Sequence, residues 1–268
     1  MSAQAEPRYS LADLLRVMQR LRDPENGCPW DVQQDFSTIV PSTLEEAYEL
    51  IEAIEHEDFP HVAEELGDLM FQVVFYAQMG QERGLFDFPH IVDTLVDKLI
   101  RRHPHVFADG EIEGIVNADS NIADVKESWE AIKRQERAAR RQTSVLDDIP
   151  LALPALSRAQ KVQKRVANVG FDWPDIQGVL DKINEEMREL AEAESQAERE
   201  EELGDLMFSC VNLARRYGVD AEAALRRATQ KFEGRFNRVE ARVRGIGGEV
   251  SDTPLEELDR LWNEVKRD

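Results

Sequence analysis

The sequence has few of the features that mark secreted, membrane-bound or nucleic-acid-binding proteins. It contains two cysteines, too few for a disulfide framework or a thiolate zinc site. Its apolar runs stay below the roughly 18 residues that a membrane-spanning helix needs. The N-terminal residues lack the apolar core of a signal peptide. These absences predict a soluble cytoplasmic protein with no membrane partner.

Basic residues are also scarce relative to acidic ones. The chain has 33 Lys and Arg against 54 Asp and Glu, a formal net charge of -21. This excess argues against nucleic acid or an anionic membrane surface as a partner, because both are negatively charged. A small anionic substrate that arrives with its own cation remains compatible with it.

Strand signals are almost absent, and helical periodicity dominates. Leu11, Leu14 and Met18 follow the candidate N-cap Ser10 at helical spacing. One cysteine, Cys210, lies in a helical segment and is predicted to be a small core residue. The fold class predicted from these patterns is all-α.

An internal repeat divides the chain. The segment Glu65-Leu-Gly-Asp-Leu-Met-Phe71 recurs letter for letter as Glu202-Leu-Gly-Asp-Leu-Met-Phe208, and Glu-Glu-x-x-Glu precedes each copy. Pro150 and Pro154 interrupt the helical pattern between the copies. We therefore predict a tandem repeat of two similar helical-bundle domains, residues 1–142 and 155–268, joined by a linker at 143–154.

The repeated acidic residues have metal-ligand spacing. Residues at i and i+3 lie on one side of a helix, and two such helices packed together bring their carboxylates close. Converging carboxylates repel one another, and a divalent cation removes that repulsion. Oxygen-only ligands suit Mg²⁺ or Mn²⁺. The predicted metal ligands are Glu186, Glu189, Glu202 and Asp205 in the second half, and Glu46, Glu49, Glu65 and Asp68 in the first.

Two simpler interpretations compete with a metal site. Glutamate runs usually form a solvated helix face. In the first half, Ser42 and Thr43 each stand three residues before a glutamate, which matches a helix capping box. Gly67 and Gly204, inside the repeated helices, favour the metal-site interpretation. A glycine there weakens a helix by about 1 kcal/mol relative to alanine, which indicates close approach of another backbone or a ligand.

Basic and aromatic residues accompany the carboxylates. Lys231 and Arg235 share one helical face, and Trp262 and Lys266 share another. A nucleoside polyphosphate needs such groups, because cations neutralise its phosphates and an aromatic ring stacks on its base. The alternatives are core packing for the tryptophan and solvated surface for the cations.

These residues together resemble the MazG family of nucleoside triphosphate pyrophosphohydrolases, within the all-α NTP pyrophosphatase superfamily. The resemblance covers essentially the whole chain, including Gly27-Cys-Pro-Trp-Asp31, Thr43-Leu-Glu-Glu-Ala-Tyr48 and both Glu-Leu-Gly-Asp segments. It implies Mg²⁺-dependent hydrolysis of nucleoside triphosphates to monophosphate and pyrophosphate, broad base tolerance and a homodimer.

The resemblance also implies roles for individual residues. The predicted carboxylates bind metal, and the nucleotide-contacting or supporting residues are Lys182, Glu185, Lys231, Arg235, Trp262 and Lys266. We expect direct attack by metal-activated water, with Lys231 and Arg235 stabilising the departing pyrophosphate and Glu185 as a base or a water-orienting group. We expect the second half to be the main catalytic half, because Lys182 is replaced by Ser42 in the first.

Two other functions remain open at this point. One is a hydrolase specialised for a single substrate, such as a modified nucleotide, dUTP or an alarmone. The other is a non-enzymatic, metal-stabilised helical module that binds a partner protein. The combination of Lys231, Arg235 and Trp262 with the carboxylates argues against the second.

Overall fold

The computed structural model describes residues 8–114, 121–139 and 144–267. Within these ranges it contains helices and no β-strand, so the all-α prediction is confirmed. None of the described helices combines the length and apolar character needed to cross a bilayer. The α-helices are α1 (Leu11–Leu21), α2 (Pro29–Gln33), α3 (Val40–Glu55), α4 (Phe59–Glu82), α5 (Phe88–Arg102), α6 (Ile122–Ala139), α7 (Ala155–Ala167), α8 (Gln177–Glu192), α9 (Gln196–Arg216), α10 (Ala221–Gly245) and α11 (Leu255–Val265).

The chain divides into two compact units, Met1–Gln135 and Glu136–Asp268. In unit 1, α4 is the central helix, and α3, α1 and α5 all pack against it. Its buried core consists of Met18, Ile39, Val74, Phe75 and Met79. The cluster joins α1 and the N-cap of α3 to α4, and α3 and α4 pack against each other along their lengths.

Helix α3 begins earlier than the capping-box alternative requires. Its N-cap is Ile39, whose side chain makes no capping hydrogen bond. The Thr43 hydroxyl instead donates to the Ile39 carbonyl from inside the helix, at 3.1 Å. The capping-box interpretation of the first-half glutamates is therefore wrong. By contrast, Ser10 caps α1 through a complete capping box with Asp13, as predicted.

Unit 2 repeats the pairing of two long helices. Helices α8 and α9 form the pair, α7 packs on α9, and α10 packs on α7, α9 and α11. A buried cluster of Val239, Val243, Leu261 and Val265 joins α10 to α11. This packing places α9 between the carboxylate-bearing α8 and the basic helix α10.

One face of the central helix stays exposed in each unit. Leu203 and Met207 on α9 are about half exposed, as are their repeat counterparts Leu66 and Met70 on α4. Cys210, on the same face of α9, is exposed, so its predicted core position is wrong. The same apolar spacing includes Val211, which is buried. It cannot distinguish a face buried within the chain from one left uncovered.

Candidate metal and nucleotide site

Three glutamates converge between α8 and α9 in unit 2. Glu186 and Glu189 lie one turn apart on α8, and Glu202 lies on α9. Each offers one carboxylate oxygen, and these oxygens all lie within 4.8 Å of one another. We call this group the second trio. The structure thus brings together three of the four carboxylates predicted for this half.

The second trio is organised around Glu186, which is 1% exposed. The Lys182 ammonium lies 2.5 Å from its Oε1 and 2.9 Å from Oε1 of Glu185. The hydrogen bonds that Lys182 donates, to Glu186 and to a lesser extent to Glu185, raise the pKa of Lys182. The other oxygen of Glu186, Oε2, is buried without a hydrogen-bond partner in the described part of the chain. A buried carboxylate oxygen without a partner is unfavourable unless a ligand satisfies it.

The trio's charges act on Glu202. Burial raises the pKa of this carboxyl, and the negative charges of Glu189, Glu186 and Asp205 raise it further. Asp205 is exposed and lies outside the trio, although its charge reaches Glu202. Carboxylates this close repel one another when they are charged, and a bound divalent cation would remove that repulsion.

The local sequence of α9 explains why no ion pair to Glu202 is seen among the described side chains. The helix starts with a capping box, in which the Ser195 hydroxyl accepts from the Glu198 backbone and the Glu198 carboxylate accepts from the Ser195 backbone. Glu198 stands one turn before Glu202. Glu198 is acidic and its side chain is turned back toward the helix start, so this position places no positive charge beside Glu202.

Unit 1 contains an equivalent cluster between α3 and α4. Oxygens of Glu46, Glu49 and Glu65, the first trio, also lie within 4.8 Å of one another. Here the buried member is Glu65, whose Oε1 is 2.7 Å from Nε2 of His61. Its Oε2 is buried and has no hydrogen-bond partner among residues 8–114 or the later described ranges. Asp68, the fourth predicted ligand, is exposed and lies outside the first trio.

Glu46 completes the first trio with a different set of contacts. Burial raises the pKa of Glu46, and the charges of Asp68, Glu49 and Glu65 add to the effect. A hydrogen bond from the Gln72 amide, 3.4 Å from Glu46 Oε1, acts in the opposite direction. Asp68 therefore influences the first trio as Asp205 influences the second, from an exposed position.

The sequence reasoning missed His61 and Gln72. His61 precedes Glu65 by four residues, the same spacing as Lys182 and Glu186, so this contact could have been found from helical periodicity. Gln72 lies two helical turns after Glu65 on the same side of α4 and is 5% exposed. Its contact crosses to α3, and no spacing rule within one helix predicts it.

The two glycines of the repeat do not mark close packing within the chain. A Cβ atom added to Gly67 or Gly204 would meet no atom within 4 Å among the residues that the structure describes. The expected close approach of another backbone is therefore wrong for contacts within this chain. The alternative, that space is kept for a ligand beside the carboxylates, stays a prediction.

The basic and aromatic residues lie on α10 and α11. Lys231 is exposed and Arg235 half-buried. Trp262 packs against Phe232 with ring centroids 5.0 Å apart, and the Lys266 ammonium lies 6.0 Å from the Trp262 ring centroid. No hydrogen bond or ion pair among the described side chains joins Lys231 or Arg235 to the second trio. Helix α10, which carries both residues, packs on α9.

Both trios fit a hard divalent cation. All the possible ligand atoms are carboxylate oxygens, which suit Mg²⁺ and Mn²⁺ better than they suit softer metals. Each trio also includes one buried carboxylate oxygen without a partner in the described structure, on Glu186 or Glu65. The trios are therefore carboxylate clusters that can hold a metal ion.

Comparison with known proteins identifies the repeated unit. The MazG nucleotide pyrophosphohydrolase domain matches this chain twice, at residues 34–107 and 175–240. The matches contain the first and second trios respectively.

Two relatives that match over nearly their whole length agree with this assignment, and a third matches over half of its length. The chain is 56% identical to the nucleoside triphosphate pyrophosphohydrolase of Escherichia coli K12, over 95% of this chain and 96% of that protein. It is 44% identical to the Thermotoga maritima protein named nucleoside triphosphate pyrophosphohydrolase/pyrophosphatase MazG, over 95% and 94%. It is also 42% identical to YabN of Bacillus subtilis, over 93% of this chain and 50% of that protein.

Proposed function

The chain belongs to the MazG family of nucleotide pyrophosphohydrolases, and on that premise we propose that it hydrolyses nucleoside triphosphates to nucleoside monophosphate and pyrophosphate. The proposed site is the second trio, with Mg²⁺ bound by Glu186, Glu189 and Glu202 and supported by Asp205. One observation carries the proposal: three carboxylates meet around a buried Glu186 oxygen that has no partner in the described chain.

A cation bound there would polarise the α-phosphate and lower the pKa of a bound water. The protein's part is to hold the three carboxylates in place. Lys182 does this for Glu186 through a 2.5 Å contact to one oxygen, which directs the other oxygen to the site. Glu185, held 2.9 Å from the same ammonium, is the proposed base that accepts the proton of the attacking water.

The basic residues of α10 and α11 act on the substrate. We assign Lys231 and Arg235 to the pyrophosphate, whose growing negative charge they neutralise as it leaves. Lys182 and Lys266 supply further positive charge toward the phosphates. Trp262 presents a half-buried indole to the base, and stacking of this kind accepts every nucleobase. Broad base tolerance is the consequence.

A pyrophosphate-release assay on the common nucleoside triphosphates tests this proposal. We expect release from all of them with Mg²⁺ or Mn²⁺ and none after chelation. Glu186→Gln keeps the shape of the side chain and removes its charge, and it should abolish release. Glu192→Gln, on the exposed end of the same helix, is the matched control. Release from only a modified nucleotide, dUTP or an alarmone would support the specialised hydrolase, and release from none would contradict the proposal.

We also propose that the protein assembles as a homodimer. The observation in support is the exposed apolar face on each central helix, Leu66 and Met70 on α4 and Leu203 and Met207 on α9. Contiguous exposed apolar residues of this kind usually mark an interface. Light scattering on the purified chain should give twice the monomer mass, and Met70→Glu with Met207→Glu should give the monomer mass.

A further inference from the structure

The two trios differ in which side chain of the protein contacts the buried glutamate. In unit 2, the Lys182 ammonium sits 2.5 Å from Glu186 and 2.9 Å from Glu185. Lysine carries a permanent positive charge at neutral pH. The second trio therefore contains its own cation, and a metal ion that approaches Glu186 is repelled by it.

The first trio has no such lysine, because Ser42 occupies the equivalent position. The partner of its buried glutamate is an imidazole, His61, and imidazole is not a permanent cation. Among the described side chains, no lysine or arginine forms an ion pair with Glu46, Glu49 or Glu65. The first trio therefore keeps more of its negative charge than the second.

Gln72 is a second, independent feature of the first trio. Its amide nitrogen donates to Glu46 at 3.4 Å, so the amide group lies beside the carboxylates. Its amide oxygen is buried and has no hydrogen-bond partner in the described part of unit 1. A buried amide oxygen of this kind is unfavourable alone, but it is a good ligand for a hard cation. The equivalent residue in unit 2 is Ser209, whose side chain is shorter.

We infer that the first trio, with Gln72 as a further oxygen donor, is a resident cation site that binds a divalent ion without nucleotide, whereas the second trio binds one tightly only with nucleotide. This inference rests on the proposed metal sites. In unit 2, substrate phosphates offset the positive charge of Lys182, so that a cation at the unpartnered Glu186 oxygen is no longer repelled while Lys182 keeps its contact to the other oxygen. The first trio needs no such offset.

Binding of Mn²⁺ alone to the metal-stripped, full-length protein tests the inference. Electron paramagnetic resonance counts free and bound Mn²⁺ directly, without any activity. We expect one tight Mn²⁺ per chain and a second that binds at least about tenfold more weakly, within the range that neighbouring groups impose on metal affinity. Adding a non-hydrolysable nucleoside triphosphate analogue should tighten the second ion.

Matched variants assign the ions to the two units. Glu65→Gln should remove the tight ion, and its repeat counterpart Glu202→Gln should leave it in place. Glu49→Gln gives the same test at an exposed position, where loss of folding is not a concern. Gln72→Met removes the amide at similar length and should weaken the tight ion about 10- to 100-fold. Ser209→Ala, the counterpart in unit 2, should not affect it.

Removal of the internal cation is the converse test. Lys182→Met should tighten the second Mn²⁺ in the absence of nucleotide, so that the two affinities approach each other. Equal affinities in the wild type, or a tight ion lost in Glu202→Gln instead of Glu65→Gln, would overturn the inference. Neither result depends on turnover. Failure of pyrophosphate release with an intact tight site would contradict the proposed function alone.

Discussion

The same acidic motif forms two clusters in which the buried glutamate lies on opposite helices. In unit 2 the buried member is Glu186, on the first helix of the pair, whereas in unit 1 it is Glu65, on the second. Their repeat counterparts, Glu46 and Glu202, are half-buried and have raised pKa values. The two units therefore have the same candidate ligand residues but different arrangements of them.

The residue one helical turn before each glutamate accounts for the difference. Lys182 precedes Glu186 and holds it, and His61 precedes Glu65 and holds it. Before Glu202 the equivalent residue, Glu198, is used for helix capping. The residue four positions before each glutamate thus determines which carboxylate is held in place and buried, and whether its partner is a lysine or a histidine.

A second comparison concerns the segments that follow α1 and α7, which contain Trp30, within α2, and Trp173. In unit 1, Arg22 donates to the Asp31 carbonyl at 2.5 Å and pairs with Glu82, in the last turn of α4. In unit 2, Asp172 in the segment pairs with Arg215 and Arg216, in the last turn of α9. In both units an ion pair connects this segment to the central helix. The arginine lies on the segment in unit 1, whereas the arginines lie on the central helix in unit 2.

The largest expected difference between the units is in turnover. Lys231→Met should reduce pyrophosphate release about 100-fold, because one charge-stabilising donor contributes on that scale in the transition state. Lys98→Met, the repeat counterpart in unit 1, should leave turnover close to that of the wild type. Steady-state kinetics with ATP and Mg²⁺ check this. Equal losses of turnover in both variants would show that both units contribute to hydrolysis.

The next largest expected difference is in how much a divalent cation stabilises the folded protein when no nucleotide is present. At 100 times its dissociation constant, an ion that binds only the folded state contributes about 2.7 kcal/mol to the free energy of unfolding. Mn²⁺ alone should therefore raise the unfolding temperature of the wild type and of Glu202→Gln, but not that of Glu65→Gln. Calorimetry measures the shift. A shift retained in Glu65→Gln would place the ion elsewhere.

The reversed ion pair of unit 2 predicts a smaller, pH-dependent effect. Burial raises the pKa of Asp172, but the Arg215 hydrogen bond and both arginine charges outweigh it and leave the pKa below its ordinary value. A lowered pKa stabilises the folded state above the ordinary pKa, and this stability is lost as the pH falls through the lowered value. Asp172→Asn should therefore lower the free energy of unfolding by about 1–2 kcal/mol at pH 7.

Urea unfolding over a pH series checks this prediction. The difference between Asp172→Asn and the wild type should shrink as the pH falls below about 4, the ordinary pKa of aspartate, and through the lowered pKa of the folded Asp172. Glu82→Gln in unit 1 should behave in the same way, because Arg22 also lowers the pKa of Glu82 against the effect of burial. A difference that stays constant down to acid pH would contradict the ion-pair account.

The smallest effect concerns the start of α9. Glu198→Ala removes half of a capping box and should lower the free energy of unfolding slightly, by less than Asp172→Asn. Glu192→Ala, also exposed, is the control. Urea unfolding at neutral pH measures both. A change no larger than that of the control would show that the capping box does not fix the helix start.

Much of this architecture could be predicted from periodicity and repetition. The apolar spacing predicted the helices, and the duplicated acidic segments predicted that Glu186, Glu189 and Glu202 meet across two helices, as they do in the structure. These inferences succeed because i, i+3 and i+4 relations are local properties of a helix.

The rest depends on relations that one sequence does not contain. Gln72 reaches Glu46 across a helix pair, so its role follows from helix packing and not from spacing. Cys210 matches the apolar period yet is exposed, because no other element of unit 2 covers that face in the described chain. The side chain of residue 198 could cap a helix or face the trio, and only the structure shows that it caps.

The central claim is that the second trio, and not the first, hydrolyses nucleoside triphosphates. Glu189→Gln and Glu49→Gln are repeat-equivalent changes that remove one carboxylate charge from each trio. The direct measurement is pyrophosphate release by both variants under identical conditions with saturating Mg²⁺. We predict a loss of about 100-fold in Glu189→Gln and near wild-type turnover in Glu49→Gln. A larger loss in Glu49→Gln would contradict the account.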